Sequence, residues 1–550
     1  MLWIASPVKA HASLVRSIPE AGSVLLQPPA EIVLEFSEGL DPETTKVELH
    51  DVNGQVTVPG PGVIEPSTPR VLRLKLGTLP DGVYSAVWRA RSAVDGHTTN
   101  GSVGFSIGET SPPASLLPPP GTPDPATAFP SNAESLARWL GYLSAAVAVG
   151  SLSFGFLIWR PAYRREINHS AVSEEVIRRL IRRFTLISLV SLGVATLGFA
   201  IIQAAEALEL SLWRIFDIPF SQLFAGRVGL LLGLRLILVV ILGWFVWQLP
   251  SPGTGSSRSW WLILALGSAI LLTFSLQGHG AARGSVIGVV MIWFHLAAMT
   301  VWLGGLPMLF LALRQGDVPA SVLVPRFSEA ALISVGLIIA TGVYNAFVYV
   351  QSGEALIATT YGRALMAKTG IFALLYILGT VNLFYLSPRL QEEGNNARNT
   401  LGRTVRIEMA LGIVLLLVVG ILAGVAPAFE ALQAHREQGI IETTKVDGVD
   451  ILLRVMPGES GENEIGVEFD DPRPGAAAVK PEILLRLTSM GMDMGTQQVQ
   501  ATSVDGLRYT ARGSYFPMTG PWELEVIIRR PGFNDVRQTF ELEIPNKSSP

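Results

Sequence analysis

Hydrophobic and polar positions follow three successive patterns along the chain. Between residues 11 and 108 they alternate, in Glu31-Ile-Val-Leu-Glu-Phe36, Lys46-Val-Glu-Leu-His50, Val71-Leu-Arg-Leu-Lys75, Gly82-Val-Tyr-Ser-Ala-Val-Trp-Arg89 and Gly101-Ser-Val-Gly-Phe-Ser-Ile107. Period-two alternation turns one face of a strand toward a core. Turn signals at Asn53-Gly54, Asp81-Gly82 and Asp95-Gly96 separate the runs. Short strands at this spacing predict an all-β sandwich of the immunoglobulin-like or cupredoxin-like Greek-key type. From 133 to 430 the alternation gives way to long apolar runs, near 136–158, 184–208, 228–249, 260–277, 287–311, 328–350, 364–386 and 407–427. Most reach the ~20 residues that cross a bilayer, so a central all-α polytopic bundle of about eight membrane helices is expected. Alternation resumes over 440–547, in 450–455, 464–469, 482–487, 522–528 and 539–544, and predicts a second, C-terminal immunoglobulin-like sandwich.

Composition sharpens this picture in three ways. Residues 109–132 carry Pro112, Pro113, Pro118, Pro119, Pro120, Pro123, Pro125 and Pro130, which read as an extended linker between the first sandwich and the bundle. Arginines cluster in alternate connections: seven between 160 and 183, then Arg258, then Arg314 and Arg326, then Arg389, Arg398 and Arg403. The positive-inside rule puts those connections in the cytoplasm and both termini outside a plasma (inner) membrane. The chain has no cysteine, which excludes disulfides, thiolate metal sites and thiol catalysis. A net charge of −4 without a basic tail gives no reason to expect nucleic acid as a partner. No phosphate-binding loop and no nucleophile–histidine arrangement is evident, so the chain is not expected to be an enzyme or an ATP-driven pump.

The remaining chemistry lies with histidine, methionine and carboxylates. Residues 1–10 end in Val8-Lys9-Ala10, a pattern that fits signal-peptidase cleavage before His11. A mature N-terminal His11 offers an α-amine and an imidazole to one metal ion. Asp95 and His97, two apart, share a face in an extended segment. In the membrane, Met291, His295 and Met299 recur every four residues with Trp302 three further, making a thioether–imidazole–thioether stripe suited to Cu(I) or, equally, to packing. His279 sits at the end of the fourth run, and Gly304-Gly305 permits close helix approach. Met490, Met492 and Met494 alternate as on one strand face, with Met518 in a later loop; they form a weaker candidate Cu(I) cluster. His50 reads as a solvated strand residue, and His169 and His435 as loop residues without a role.

Several of these segments resemble known families. His11 to Leu40, containing Phe36-Ser-Glu-Gly-Leu40, with Gly82-Val-Tyr-Ser-Ala-Val-Trp-Arg-Ala90 and Ser92-Ala-Val-Asp-Gly-His-Thr-Thr-Asn-Gly101, closely resembles the copper resistance protein CopC. Gln277-Gly-His-Gly280, His295-Leu-Ala-Ala-Met-Thr-Val-Trp-Leu-Gly-Gly-Leu306 and Tyr361-Gly-Arg-Ala-Leu-Met-Ala-Lys368 resemble CopD. Tyr515-Phe-Pro-Met-Thr-Gly-Pro-Trp-Glu-Leu-Glu-Val526 resembles the YtkA-like domain. The order resembles bacterial fusion membrane proteins of copper resistance and copper uptake. The resemblance implies a Cu(II) site of His11, Glu38, Asp95 and His97 in the first domain. Members of that family can also carry a methionine-rich Cu(I) loop; the corresponding stretch 49–60 has no methionine, so a Cu(I) site is not expected there. The expected cofactor is copper, and the expected partners are copper ions, the lipid bilayer and an external copper chaperone or reductant. The expected function is capture of Cu(II) outside and transport across the membrane. A non-transporting sensor or chaperone, and a membrane haem or copper reductase using His279 and His295, are the alternatives.

Overall fold

The computed structural model describes residues 12–545 except 13, 20–22, 52–55, 59–61, 94–95, 97, 109–126, 128, 166–170, 209, 211–213, 215–222, 254, 283, 316–319, 390–394, 471–472, 474–478, 493–494 and 504–507. The expected cleavage segment and most of the Pro-rich linker lie outside the described residues, as does His169.

The first region is a two-sheet sandwich. One sheet runs in the order Leu14–Ile18, Glu31–Phe36, Val71–Lys75, Val63–Ile64; the other runs Val24–Leu25, Thr98–Ile107, Gly82–Arg91, Lys46–Asp51, Val56–Val58. All neighbours are antiparallel except Val24–Leu25, which lies parallel to Thr98–Ile107. The alternation does what was expected of it: Ile32, Leu34 and Phe36 point inward and are almost fully buried. Phe36 meets Trp88 edge to face, ring centroids 5.0 Å apart, which locks the two sheets together. His50 lies in the strand Lys46–Asp51, with Nε2 3.3 Å from Glu48 Oε2.

Among the described residues, eight helices are long and apolar enough to cross a membrane. Their regular cores are α1 (Asn132–Ser153), α2 (Ala171–Ala207), α3 (Gly226–Trp247), α4 (Ser257–Leu276), α5 (Val286–Trp302), α6 (Ala320–Tyr349), α7 (Thr360–Val381) and α8 (Asn395–Leu422). Two of them begin well before their apolar runs, because hydropathy marks the hydrocarbon core and not the end of the helix. The Arg-rich first turns of α2 and α8 continue as amphipathic helix at the membrane edge. Large apolar side chains such as Leu230, Ile237, Val240 and Trp244 of α3 remain exposed on the protein surface, as side chains facing lipid must. Two glycines bring α1 close to the segment after α5. A Cβ on Gly304 would fall 1.9 Å from the Ala146 carbonyl oxygen, and one on Gly150 would fall 2.2 Å from the Gly304 carbonyl carbon. The expected close approach at Gly304 therefore occurs, against α1.

The helix Ala428–Gln438 leads into the third region, so His435 lies on a helix and not in a loop. Two antiparallel four-stranded sheets follow, ordered Ile440–Val446, Val449–Met456, Gly461–Asp470, Arg508–Phe516 and Thr496–Ala501, Glu482–Ser489, Gly520–Arg529, Val536–Ile544. Phe516 and Trp522 pack edge to face at 5.4 Å, repeating the contact of the first sandwich. The expected strand through Met490 and Met492 is not formed: the strand ends at Ser489 and the chain turns. Glycine at 491 and at 495, the latter with φ +74°, releases the backbone into that turn.

Candidate functional site

At one end of the first sandwich several backbone segments converge. Ala12 is fully buried, and its carbonyl accepts from Thr99 Oγ1 at 2.6 Å. Glu38, only 2% exposed, accepts from Ser92 Oγ at 2.6 Å. The Ser92 carbonyl in turn accepts from the Gly96 amide at 3.1 Å. The segments next to His11, Asp95 and His97 thus meet beside Glu38. His11, Asp95 and His97 themselves lie outside the described residues, and among the described residues no group of three histidine, aspartate or glutamate side chains forms a metal cluster.

This same end of the sandwich rests on the bundle. Arg91 donates from Nε to the Gly96 carbonyl at 3.2 Å, from Nη1 to the Gln203 carbonyl at 3.2 Å and from Nη2 to Gln203 Oε1 at 2.8 Å. Arg89 donates to the Glu206 carbonyl at 2.5 Å. These carbonyls are at the C-terminal end of α2, which leaves its last oxygens without helical donors and attracts cations. Gly96 has φ +77°, and a Cβ there would sit 3.2 Å from both Gln203 Oε1 and Val228 of α3. From Gln203 a polar chain runs inward. Its Nε2 donates to Glu134 Oε1 at 3.5 Å, and Glu134 pairs with Arg138 at 2.6 Å.

Arg138 lines a cavity of about 460 Å³ inside the bundle. His295 lines it too. Thr341 Oγ1 donates its one hydrogen to the Leu337 carbonyl at 2.6 Å, so it accepts from His295 Nδ1–H at 2.8 Å. That assignment comes from the hydrogen-bond network. It leaves the Nε2 lone pair of His295 available to a metal, the arrangement in which a second group fixes the tautomer of a ligating imidazole. The methionine stripe is less well placed. The α5 residues on the cavity wall are Ile292, His295 and Leu296. Met299 is buried one turn further along, in the packed core, and Met291 falls about 40° to the other side of His295 at 100° per residue. The backbone of His279 starts a short helical turn, His279–Ala282, directly after the lining residues Gln277 and Gly278; its side chain lies outside the described residues.

Charged residues that the search for histidine and methionine passed over lie in the same bundle. Arg235, 4% exposed, donates to Thr273 Oγ1 at 2.8 Å and to Gln277 Oε1, and stacks its guanidinium 3.6 Å from the Phe274 ring centroid. Lys368 lines the cavity as well. Glu408, 3% exposed, lies further from the first sandwich; it accepts from Asn382 Nδ2 at 2.8 Å, and Asn382 Oδ1 accepts from Thr404 at 2.7 Å. Asn382 opens the wide π-type turn Asn382–Leu386, a local geometry often found at functional positions. A lone ionisable residue inside an apolar run was the signal that would have found all three.

In the third region Met490 and Met492 are exposed in their turn, while Met518 packs partly against the sandwich core and its carbonyl accepts from Trp522 Nε1 at 3.2 Å. Met494 lies outside the described residues.

Comparison with known proteins fits this layout. Residues 14–108 match the CopC domain, residues 133–289 the copper resistance protein D-like N-terminal domain, and residues 321–422 copper resistance protein D. The chain joins a CopC domain to a CopD-type membrane region. It is similar to the copper transport protein CutJ of Bacillus subtilis (strain 168), 26% identical over 96% of this chain and 95% of that protein. It is also similar to copper resistance protein D of Pseudomonas syringae pv. tomato, 30% identical over 30% of this chain and 56% of that protein. The crystal structure of CopC from Methylosinus trichosporium OB3b is 29% identical, covers 18% of this chain and 93% of its own, and superimposes with a TM-score of 0.17. The CopC–CopD chain is thus a copper-handling membrane protein.

Arg91→Ala should loosen the CopC domain from the bundle, because it removes three hydrogen bonds that bridge Gly96 and Gln203. Charge-assisted bonds of this kind are each worth about 1.5–3 kcal/mol. Amide exchange over residues 204–208 and at Gly96, followed by mass spectrometry, is expected to speed up at least tenfold, about the effect of losing one such bond; unchanged protection would show that Arg91 does not hold the contact.

Proposed function

We propose that this chain acquires copper: its CopC domain captures Cu(II) outside the plasma membrane, and its helical region carries copper inward, contributing to copper homeostasis. The observation that carries this reading is the placement of Ala12, Glu38, Gly96 and Thr99 at the one end of the sandwich that rests on α2 and α3. From that end the chain Gln203–Glu134–Arg138 leads to the wall of the cavity that His295 also lines.

The Cu(II) ligands are the α-amine and imidazole of His11, the imidazole of His97 and the carboxylate of Asp95, with Glu38 beside them. Nitrogen donors in a tetragonal set suit Cu(II). Both imidazoles and the amine bind only when deprotonated, so affinity falls on acidification. Within the bundle His279, Met291, His295 and Met299 form the path, and His295 Nε2 is its best-prepared ligand. Thioethers favour Cu(I), so one electron is supplied to Cu(II) by an external reductant before entry. The exposed Met490 and Met492, with Met494 and Met518, offer thioethers for Cu(I) on the third domain, which we read as YtkA-like.

Three measurements test this reading. Adding one residue before His11 turns the amine into an amide, and Cu(II) affinity of the purified chain is expected to drop by orders of magnitude; equal affinity of extended and mature forms would sink the amine ligand. His295→Ala should stop copper accumulation in vesicles of known orientation while leaving Cu(II) binding at the CopC domain unchanged; wild-type uptake by a normally inserted variant refutes the path. With both termini outside, Lys445→Cys should label in intact cells with an impermeant thiol reagent, and Ser256→Cys only after permeabilisation. The reverse pattern would invert the topology.

A further inference from the structure

The cavity under the CopC domain is built for a negative charge. Its wall includes Arg138, Arg235 and Lys368 and no aspartate or glutamate. Arg138 is neutralised by Glu134, but the partners of Arg235 are a hydroxyl, an amide oxygen and a ring. Lys368 has no acidic partner among the described residues. A guanidinium keeps its charge, and an uncompensated cation at membrane depth is costly. Arg235 and Lys368 stand nine and eight residues from the amino-terminal ends of α3 and α7, two helices that run in the same direction, so both charges lie at one level, about 12–14 Å in. A donor is also left waiting: buried Gln277 Nε2 has no hydrogen-bond partner among the described residues.

The rest of the wall is apolar, with Phe274, Ile292, Leu296, Leu365, Phe372 and Val419 facing the space. The cavity also has a side opening. α6 packs on α5 and α7 on α8, and α6 meets the far end of the continuation of α7, Asn382–Arg389. Ile339 and Val343 of α6 line the cavity while remaining 47% and 66% exposed. An apolar chamber with a cationic level in its wall and lining residues exposed on the lipid side matches an amphiphile. Its volume, in the lower part of the ~300–1,000 Å³ range of small-molecule pockets, suits one acyl chain and not a whole two-chain lipid.

We propose that this cavity binds a single-chain carboxylate amphiphile of the fatty-acid type. It enters from the bilayer between α6 and α7 and places its carboxylate against Arg235, Lys368 and Gln277. The seated carboxylate also cancels the charge that otherwise repels a copper ion from His295 Nε2. The proposal goes beyond copper transport and stands whether or not copper crosses at His295.

The test uses the full-length chain in nanodiscs and radiolabelled oleate as the probe. Oleate is expected to bind saturably, with oleyl alcohol and inorganic phosphate failing to displace it. Lys368→Gln should weaken oleate at least tenfold, the loss of about one charge-assisted contact. Equal binding of oleate and oleyl alcohol, or wild-type affinity in Lys368→Gln, overturns the carboxylate site. Displacement by phosphate overturns the bilayer source in favour of an aqueous anion. Val343→Trp, on the exposed α6 face of the cavity, tests the route while keeping every cation: it should slow oleate entry at least tenfold, and a wild-type on-rate overturns lateral entry.

Discussion

Hydrocarbon does not tolerate a bare charge, and the bundle is arranged around that constraint. Most of the ionisable side chains deep in the spans turn inward to a polar neighbour or a ring. Glu134 answers Arg138; Thr273, Gln277 and Phe274 answer Arg235; Asn382 answers Glu408; Thr341 answers His295. Groups of this kind need room and partners, so the helices stand apart at two levels, around the large cavity near the CopC domain and around the smaller one of about 80 Å³ beside Glu408. The outer surface is left to large apolar side chains.

Something must hold a bundle with two internal openings together, and the contact of α1 with the segment after α5 does so. Gly150 and Gly304 bring two backbones to a separation that admits no side chain at either position. Dispersion forces act over many atoms at such a distance, which is the main source of helix adhesion in lipid.

The layered plan was legible because each layer has its own period. Alternation predicted the inward-facing Ile32, Leu34 and Phe36, and apolar length predicted the eight spans. The chemistry was legible only in part. The search for soft ligands in the spans led to Met291, His295 and Met299, of which His295 lines the cavity. Asking instead which residues cost most to bury points at once to Arg235, Lys368 and Glu408. The Met490–Met494 alternation misled because two glycines outrank three methionines in deciding whether a strand continues. The seating of the CopC domain through Arg89 and Arg91 had no sequence signal at all, since it joins residues more than a hundred positions apart.

That seating has a consequence for affinity. The CopC domain and the helices it rests on belong to one polypeptide, so the contact forms against an effective concentration on the order of mM, not against the dilute population of a separate carrier protein. Two arginines and a glutamine can hold it closed for most of the time with an intrinsic Kd no better than that. Weak intrinsic binding means a fast off-rate. The domain can leave its seat and return many times without diffusing away, so the contact re-forms at a rate set by the tether and not by the concentration of a second protein.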